Sequence, residues 1–483
     1  MLRQSGRLLA VFALYCGVEA LAQPPLSRLN PTIKQIVDQV SEERIGAIMK
    51  RLESFGTRYV GSEQDSETHG IGGAQRWILS EFQSYSPKLQ VSVDKFQVKK
   101  SQRLAKDVEL ANVVAILPGT IDKDRYVMIG GHYDSIALRR TAGQAAQAND
   151  SGGTAADQEP LAPGVADDAS GTAAVMELAR VMSQYEFDKS IVFIAFAAEE
   201  IGLNGSRNYA QEAKEKNMQI EALLNNDIIG SDISGDGRSA NNHLRVFSEG
   251  PEDSPSRALA RYTKEIAERY VPSMTVDLVF RRDRFGRGGD HTSFNREGFT
   301  AVRLTTASEN YANQHTATDT FANASVPFTT RAAKMNAAVL ASLALAPKPP
   351  QVSRPRPAGR GAGDTATAGR GGGRRGPSGP GLSRGTSGYD AALRWAMPDP
   401  EPDIAGYAVV IRPTTSALWE REIYVGNVTE YTLPDLSIDD VVIGVKAIDK
   451  DGNQSLVSAY EQAPTTAGQT PAQTTQPRPP GGQ

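Results

Sequence analysis

The sequence predicts an α/β protein with a mainly parallel central sheet, helices on both faces and a small all-β sandwich domain. Three observations lead to this prediction. Residues 191–196 are apolar without alternation, which is typical of a strand buried on both faces of a parallel sheet. Helical patterns such as 171–182 alternate with further short apolar runs, as in crossover connections between parallel strands. Short alternating runs between 391 and 460, separated by turn residues, indicate the sandwich.

The individual elements follow from the spacing of apolar residues. Helical spacing predicts helices in 32–55, at 76–82 and, to close the domain, at 327–346. Residues 89–98 alternate, as an edge strand does. Further strands are predicted at the short apolar runs 112–117, 126–129, 222–224, 244–247 and 301–304.

Composition divides the chain into a targeting segment, two domains and a linker. Residues 1–22 combine Arg3 and Arg7 with a short apolar run and a small-residue cleavage site, which predicts a signal peptide and a secreted or periplasmic protein. The remaining boundaries are expected at 28–347 for the α/β domain, 348–388 for a Pro/Gly/Arg-rich linker, 389–464 for the sandwich and 465–483 for a disordered tail. Such a linker implies few contacts across the boundary.

Charge and cysteine content limit the chemistry. The net charge is −4 and no basic block marks a nucleic-acid binder, so no nucleic-acid partner is expected. The only cysteine, Cys16, lies in the predicted signal peptide. The exported chain would therefore have no disulfides and no thiolate ligands, so histidines and carboxylates would have to hold any metal.

Histidines and acidic residues collect at the ends of the predicted strands. They are His132, Asp134, Asp167, Asp168, Glu199, Glu200, Asp227 and His315. In open α/β sheets the functional crevice lies beyond the carboxyl ends of the strands. One such histidine alone is usually structural, but several carboxylates converging there would repel one another without a cation. Two histidines with three or four carboxylates are the ligand set expected for a pair of divalent ions, with zinc favoured.

The order HxD, DD, EE, D, H resembles the di-zinc aminopeptidase family that includes glutamate carboxypeptidase and the transferrin receptor ectodomain, over roughly residues 30–347. The resemblance implies two Zn²⁺ per chain. It assigns His132 and Asp227 to one ion, Glu200 and His315 to the other, and Asp167 to a bridge between them.

The same resemblance assigns Glu199 as general base, Asp134 as the carboxylate that orients His132, and a cis peptide after Asp167. It implies a secreted metallo-exopeptidase, foremost an aminopeptidase that hydrolyses N-terminal residues of peptides through a metal-bridging water. Two alternatives stay open: a single-zinc glutaminyl cyclase on the same fold, and a catalytically silent, receptor-like binding module. Metal content of about two, one or no zinc would separate the three.

Substrate contacts are predicted with fewer signals. Arg284 and Arg287, in an arginine-rich run, and Arg303 could hold a terminal carboxylate of a peptide, although the run could equally be a solvated loop. Tyr311 is the candidate oxyanion donor.

Two further features have a functional and a structural interpretation. The pair at 290–291 either belongs to the site, as an Asp-His pair does in the family, or caps a helix above a core histidine. The C-terminal module resembles a fibronectin type III domain with Trp395 in its core, and it could contact a cell surface or a polymer.

Overall fold

The computed structural model describes residues 29–138, 161–283, 287–352, 379–383, 389–397 and 401–460. An eight-stranded sheet with helices on both faces forms the first domain, and two smaller antiparallel sheets follow. The predicted fold class is confirmed. The predicted signal peptide, most of the linker and the tail lie outside the described residues. Within the described part of the chain, no helix is long and apolar enough to span a membrane.

Helices and strands alternate through the first domain. The helices are α1 (Pro31–Asp38), α2 (Glu42–Glu53), α3 (Gly70–Tyr85), α4 (Ser170–Met182), α5 (Asn204–Glu215), α6 (Pro255–Tyr270), α7 (Asp290–Glu297) and α8 (Val326–Leu345). The strands are β1 (Gln90–Val98), β2 (Val108–Leu117), β3 (Asp122–His132), β4 (Lys189–Phe196), β5 (Gln219–Asn226), β6 (His243–Phe247), β7 (Thr275–Val279) and β8 (Ala301–Thr306). The helical pattern in 32–55 is two helices, because Ser41 caps a new one by accepting from Arg44 N at 3.2 Å.

The sheet order is β1-β2-β4-β3-β5-β8-β6-β7. Strands β4, β3, β5 and β8 are parallel neighbours. Strand β2 runs antiparallel to β4 and to the edge strand β1, while β6 runs antiparallel to β8. The four central strands therefore end at one edge of the sheet, where the loops after them can meet.

Two hydrophobic cores explain the apolar run that forms β4. Ile191 and Phe193 belong to the core under α4 and α8, whereas Val192, Ile194 and Phe196 belong to the core under α5 and α7. Every residue of β4 is buried. Since both faces of the strand are covered, neither face needs polar side chains.

The C-terminal domain pairs a three-stranded with a four-stranded antiparallel sheet. Its strands are β9 (Gly381–Ser383), β10 (Ala391–Arg394), β11 (Ile404–Pro413), β12 (Arg421–Gly426), β13 (Glu430–Leu433), β14 (Val441–Asp449) and β15 (Ser458–Ala459). Trp395 is buried in the core as predicted, with its ring centroid 5.5 Å from that of Tyr407. Part of the predicted linker belongs to this domain, because Gln351 pairs with Ala396, Val352 enters the core and β9 pairs with β10.

The two domains are in contact. Arg412 of β11 is fully buried and places Nη2 2.7 Å from Asp253 Oδ1. Arg261 of α6 donates through Nε to the carbonyl of Ala417 at 2.7 Å. The backbone N–H of Lys348 donates to Glu401 at 2.8 Å. The expectation of few contacts across the boundary is therefore wrong.

Candidate active site

Five predicted ligands come together at the carboxyl edge of the central strands. They are His132 at the end of β3, Asp167 in a π turn (Val165–Ala169), Glu200 after β4, Asp227 after β5 and His315 between β8 and α8. Four of them are buried, and His315 is partly exposed. The sheet topology explains why these ligands lie close together, since β4, β3 and β5 are adjacent parallel strands that end at the same edge.

Asp167 lies between the two histidines. Its Oδ1 is 3.1 Å from His132 Nε2 and its Oδ2 is 3.2 Å from His315 Nε2. Glu200 Oε2 is 3.0 Å from the same nitrogen of His315. Two sets of ligand atoms each lie within 4.8 Å of one another, and Asp167 is common to both sets; His132 and Asp227 complete one, Glu200 and His315 the other.

Buried donor atoms in this cluster fit a metal pair. Among the described residues, His132 Nε2 and Glu200 Oε1 are buried and make no hydrogen bond of good geometry, although Asp167 Oδ1 lies 3.1 Å from the first of these atoms. Burial raises the pKa of Asp167, but the imidazoles of His132 and His315 lower it more, and the carboxyl pKa falls well below its ordinary value. Burial lowers the pKa of His315, whereas Glu200 and Asp167 raise it well above its ordinary value. Cations could replace the protons that this cluster otherwise attracts.

Asp168 ties the ligand-bearing segments together. Its peptide bond with Asp167 is cis, as the family resemblance implied. The buried carboxylate accepts from the backbone N–H groups of His132 at 3.1 Å, Gly171 at 3.0 Å and Ile228 at 3.0 Å. One side chain therefore fixes the end of β3, the start of α4 and the turn after β5.

Backbone strain is concentrated beside the ligands. Ala198, Ile228 and His315 have φ values of 62°, 66° and 54°. A positive φ is uncommon for residues other than glycine, and for branched Ile228 it is an outlier. Such conformations persist where surrounding contacts enforce them, which is common at functional sites.

Asp134 supports both His132 and the glutamate pair. His132 Nδ1 lies 3.1 Å from the backbone carbonyl of Asp134 and 3.6 Å from its Oδ1. Because a carbonyl can only accept, Nδ1 carries a hydrogen, which leaves Nε2 as the ring nitrogen that faces the site. The Asp134 carboxylate accepts from the N–H groups of Glu199 at 3.1 Å and Glu200 at 3.2 Å. The orientation expected from its side chain therefore comes chiefly from its backbone.

Glu199 lines the cleft beside the ligands and is not itself in either ligand set. Burial raises the pKa of its carboxyl well above the ordinary value; nearby His132 lowers it, and Asp227 and Glu200 raise it further. The side chain therefore lies at the cleft, and its raised pKa gives the ionised carboxylate a strong tendency to take up a proton, as a general base requires.

Arg303 has a different environment from the one expected. It is 2% exposed, and its Nε and Nη2 lie 3.1 and 3.2 Å from the two carboxylate oxygens of Asp227. Its Nη1 also donates to Asp283 at 3.1 Å and to the Gly288 carbonyl at 3.0 Å. The guanidinium therefore pairs with a predicted metal ligand; because the side chain also lines the cleft, its contact with substrate stays a prediction.

Arg287 and Tyr311 line the cleft, whereas Arg284 lies outside the described residues. The cleft has a volume of about 740 Å³. Arg287 Nη2 is 2.8 Å from Glu309 Oε2, and its Nη1 lies 3.5 Å from the Tyr311 hydroxyl. Both residues reach the cleft as predicted, with the charge of Arg287 already balanced by Glu309.

The Asp290-His291 pair starts α7 beside the cleft. The residue before the helix is Gly289, and no side chain caps it, so the helix-cap interpretation is wrong. Burial raises the pKa of Asp290 to about 7. His291 lines the cleft, and burial with nearby Arg303 lowers its pKa to about 3, which keeps the imidazole neutral. A Cβ on Gly289 would lie 2.7 Å from Asp227 Oδ2, so only glycine fits there.

Asp319 is a supporting residue that sequence reasoning missed. Its buried carboxylate accepts from Ala166 N at 2.8 Å and from Asp167 N at 3.0 Å. Burial raises its pKa to about 7. Its position four residues after His315 was the only available signal, and a lone aspartate between threonines is more often exposed.

Comparison with known proteins agrees with the fold and the site. Residues 112–340 match the model of peptidase family M28. A probable zinc metalloprotease of Pyrenophora teres f. teres is 34% identical over 473 residues, covering 91% of this chain and 88% of that protein. One of Pyricularia oryzae is 34% identical over 459 residues, covering 88% and 83%.

The crystal structure of LapB from Legionella pneumophila shares the fold, with a TM-score of 0.50 at 22% identity, over 67% of this chain and 77% of that one. The fold and the site therefore identify the chain as a metallopeptidase. The chain belongs to peptidase family M28, and the predicted family is confirmed.

Proposed function

We propose that this chain is a secreted aminopeptidase that works with two Zn²⁺ ions. The observation that carries the proposal is the position of Asp167, whose two carboxylate oxygens lie 3.1 and 3.2 Å from Nε2 of His132 and of His315. A carboxylate between two imidazoles is suited to bridge two ions. The names of the fungal relatives support zinc as the metal.

The chain's donors fall into two groups around the bridge. His132 and Asp227 would hold one ion, and Glu200 and His315 would hold the other, each together with Asp167. When bound, the zinc pair would supply a water of lowered pKa and polarise the scissile carbonyl. Asp134 fixes the tautomer of His132, and Arg303 fixes the carboxylate of Asp227.

Glu199 would act as the general base. Asp134 holds its backbone N–H at 3.1 Å, which fixes the start of the side chain at the cleft. Its carboxylate would accept a proton from the attacking water and deliver it to the leaving amine as the peptide bond breaks. Glu200, the next residue, points its Oε2 at His315 and so has a separate role.

The floor of the cleft favours a free amine at the substrate's end. Glu199, Asp167 and Asp227 line it as carboxylates, and an α-ammonium group bound among them would be stabilised by charge. An N-blocked peptide has no such charge. Recognition of the amine is therefore the reason to propose an aminopeptidase.

Zinc content and substrate choice test the proposal together. The purified full chain should contain about two zinc ions, lose activity after chelation and regain it with Zn²⁺. It should hydrolyse aminoacyl-nitroanilides and leave N-acetylated dipeptides intact. If the chain instead contains one zinc ion and cyclises an N-terminal glutamine, it is a glutaminyl cyclase. If it contains no metal and turns over no substrate, it is a binding module. Secretion predicts that the exported chain begins at Gln23.

A further inference from the structure

One wall of the cleft carries two arginines that have no carboxylate partner within the described part of the chain. Arg207 on α5 and Arg296 in the last turn of α7 both line the cleft and are exposed. Arg207 Nη2 donates to the carbonyl of Gly202 at 2.8 Å, which leaves its other nitrogens available. Among the described residues, neither guanidinium lies within ion-pair distance of an acid.

Three other cleft arginines are balanced by acidic side chains. Arg282 Nε is 3.2 Å from Glu249, and Arg287 is 2.8 Å from Glu309. Arg303 is shared by Asp227 and Asp283. These pairs leave little positive charge for a ligand. Arg103 also lines the cleft and donates through Nη1 to the Glu200 carbonyl at 3.0 Å. Arg207 and Arg296 therefore bring positive charge to the wall formed by α5 and α7.

The two helices form a firm support for these side chains. Ser206 Oγ and Ser293 Oγ are buried and 2.9 Å apart, which links α5 to α7. The rings of Tyr209 and Phe294 also pack, with centroids 6.2 Å apart. A binding group on a packed helix is held more precisely than one on a loop. Both arginines therefore extend from a fixed frame beside the metal ligands.

We propose that Arg207 and Arg296 form an anion subsite, the α5–α7 subsite, which binds a carboxylate of the peptide substrate. The carboxylate would come from an acidic side chain beyond the scissile bond or from the free C-terminus of a short peptide. Arginine suits this ligand because its planar guanidinium donates paired hydrogen bonds to a carboxylate. The orientation of the peptide, with its amine at the cleft floor, rests on the proposed function. The subsite differs from the one that the sequence indicated at Arg284, Arg287 and Arg303.

Binding to a protein that does not turn over gives the cleanest test. The zinc-loaded Glu199→Gln variant would be titrated by calorimetry, at low salt, with Leu-Glu-amide against Leu-Gln-amide and with Leu-Gly-Gly against its C-terminal amide. The first pair isolates an acidic side chain and the second a free C-terminus. We expect about tenfold tighter binding of the carboxylate member in at least one pair, as for a charge-assisted hydrogen bond.

Two variants on that background locate the subsite. Arg207→Gln together with Arg296→Gln should remove the preference, while the neutral peptides bind as before. Arg269→Gln is the control, because Arg269 lies on α6, pairs with Glu265 at 2.6 Å and does not line the cleft. It should leave the preference unchanged.

Equal affinity within both peptide pairs would overturn the inference. So would a preference that survives the double substitution, because the carboxylate would then bind elsewhere. The two proposals can fail separately. The proposed function fails, and the subsite stands, if the unsubstituted chain with zinc cleaves no free-amine peptide while the Glu199→Gln variant still binds the carboxylate peptides more tightly through the two arginines. If the unsubstituted chain cleaves such peptides without the preference, only the subsite fails.

Discussion

The buried pair Arg412–Asp253 allows a quantitative test of how the domains dock. The guanidinium of Arg412 is fully buried, 2.7 Å from Asp253 Oδ1, and its Nη1 donates to the Ser416 carbonyl at 2.7 Å. The central carbon of this guanidinium lies 5.5 Å from the ring centroid of Trp419. Replacing Arg412 by Met keeps most of the volume and removes the charge. Asp253, which is 6% exposed, then loses its shortest ion pair.

The expected cost follows from these contacts. Removing one partner of a buried pair costs about 3–5 kcal/mol, because the other charge stays buried. Arg261 Nη1 remains 3.4 Å from Asp253 Oδ1 and compensates part of the loss. We therefore expect the low end of the range, about 3 kcal/mol in the free energy of unfolding. Adding Asp253→Asn should recover part of it, since the stranded charge is removed.

Urea unfolding of the zinc-loaded chain, followed by tryptophan fluorescence, measures the effect. Trp395 and Trp419 lie in the C-terminal domain and Trp77 lies in α3 of the first domain, so the signal reports the unfolding of both domains. Arg421→Met on the exposed start of β12 is the control and should change stability by less than about 0.5 kcal/mol. If Arg412→Met is no more destabilising than this control, the pair does not hold the domains together, and the argument from burial fails.

The other predictions concern the site. Glu199→Gln should keep both zinc ions and lose about 10²–10⁴ in kcat, whereas Glu200→Gln should lose zinc; the reverse pattern by metal analysis would exchange their roles. Asp319→Ala should weaken zinc binding by about 10–100-fold, because it frees the backbone of Asp167; unchanged affinity in a chelator competition would refute this. The His291 pKa, lowered from 6.5 to about 3, predicts stability that is complete above pH 6.5 and is lost as the pH falls toward 3, since the unfolded imidazole binds the proton first. His291→Gln should flatten this pH dependence in zinc-free protein, and an unchanged slope would contradict it.

The parts of the fold that sequence reasoning predicted are those with an undiluted apolar pattern. Strand β4 faces two cores, so its run has no polar interruption. Helix α4 is buried at all but one position and gives a clear helical pattern. Burial of both faces of β4 thus left an unbroken apolar run, and packing of α4 left a helical period, and both patterns can be read without the structure.

Elements with diluted patterns were missed. Helix α6 buries Leu259, Ile266 and Tyr270, but it also buries Arg261, whose charge is balanced by Asp253 from the preceding loop and by contacts with the second domain. A buried arginine breaks the apolar stripe on which a helix prediction depends. Helix α7 has only eight residues, about two turns, and strand β7 only five. Such lengths give too few periods to distinguish helix from strand.

The same physics separates the site residues that the sequence revealed from those it did not. Metal ligands must be histidines and carboxylates at strand ends, so residue type and position together select His132 and Asp227. Supporting residues have no such restriction. Arg303 reaches Asp227 across 76 positions of sequence, and an isolated arginine is ordinarily exposed, so the sequence suggested a contact with substrate. Its burial beside the Asp227 carboxylate adds a supporting contact that the sequence did not reveal. Arg207 was overlooked for the complementary reason, because an arginine on a polar helix looks like solvated surface. Only the balanced charges across the cleft make it informative that Arg207 has no acidic partner among the residues the structure describes.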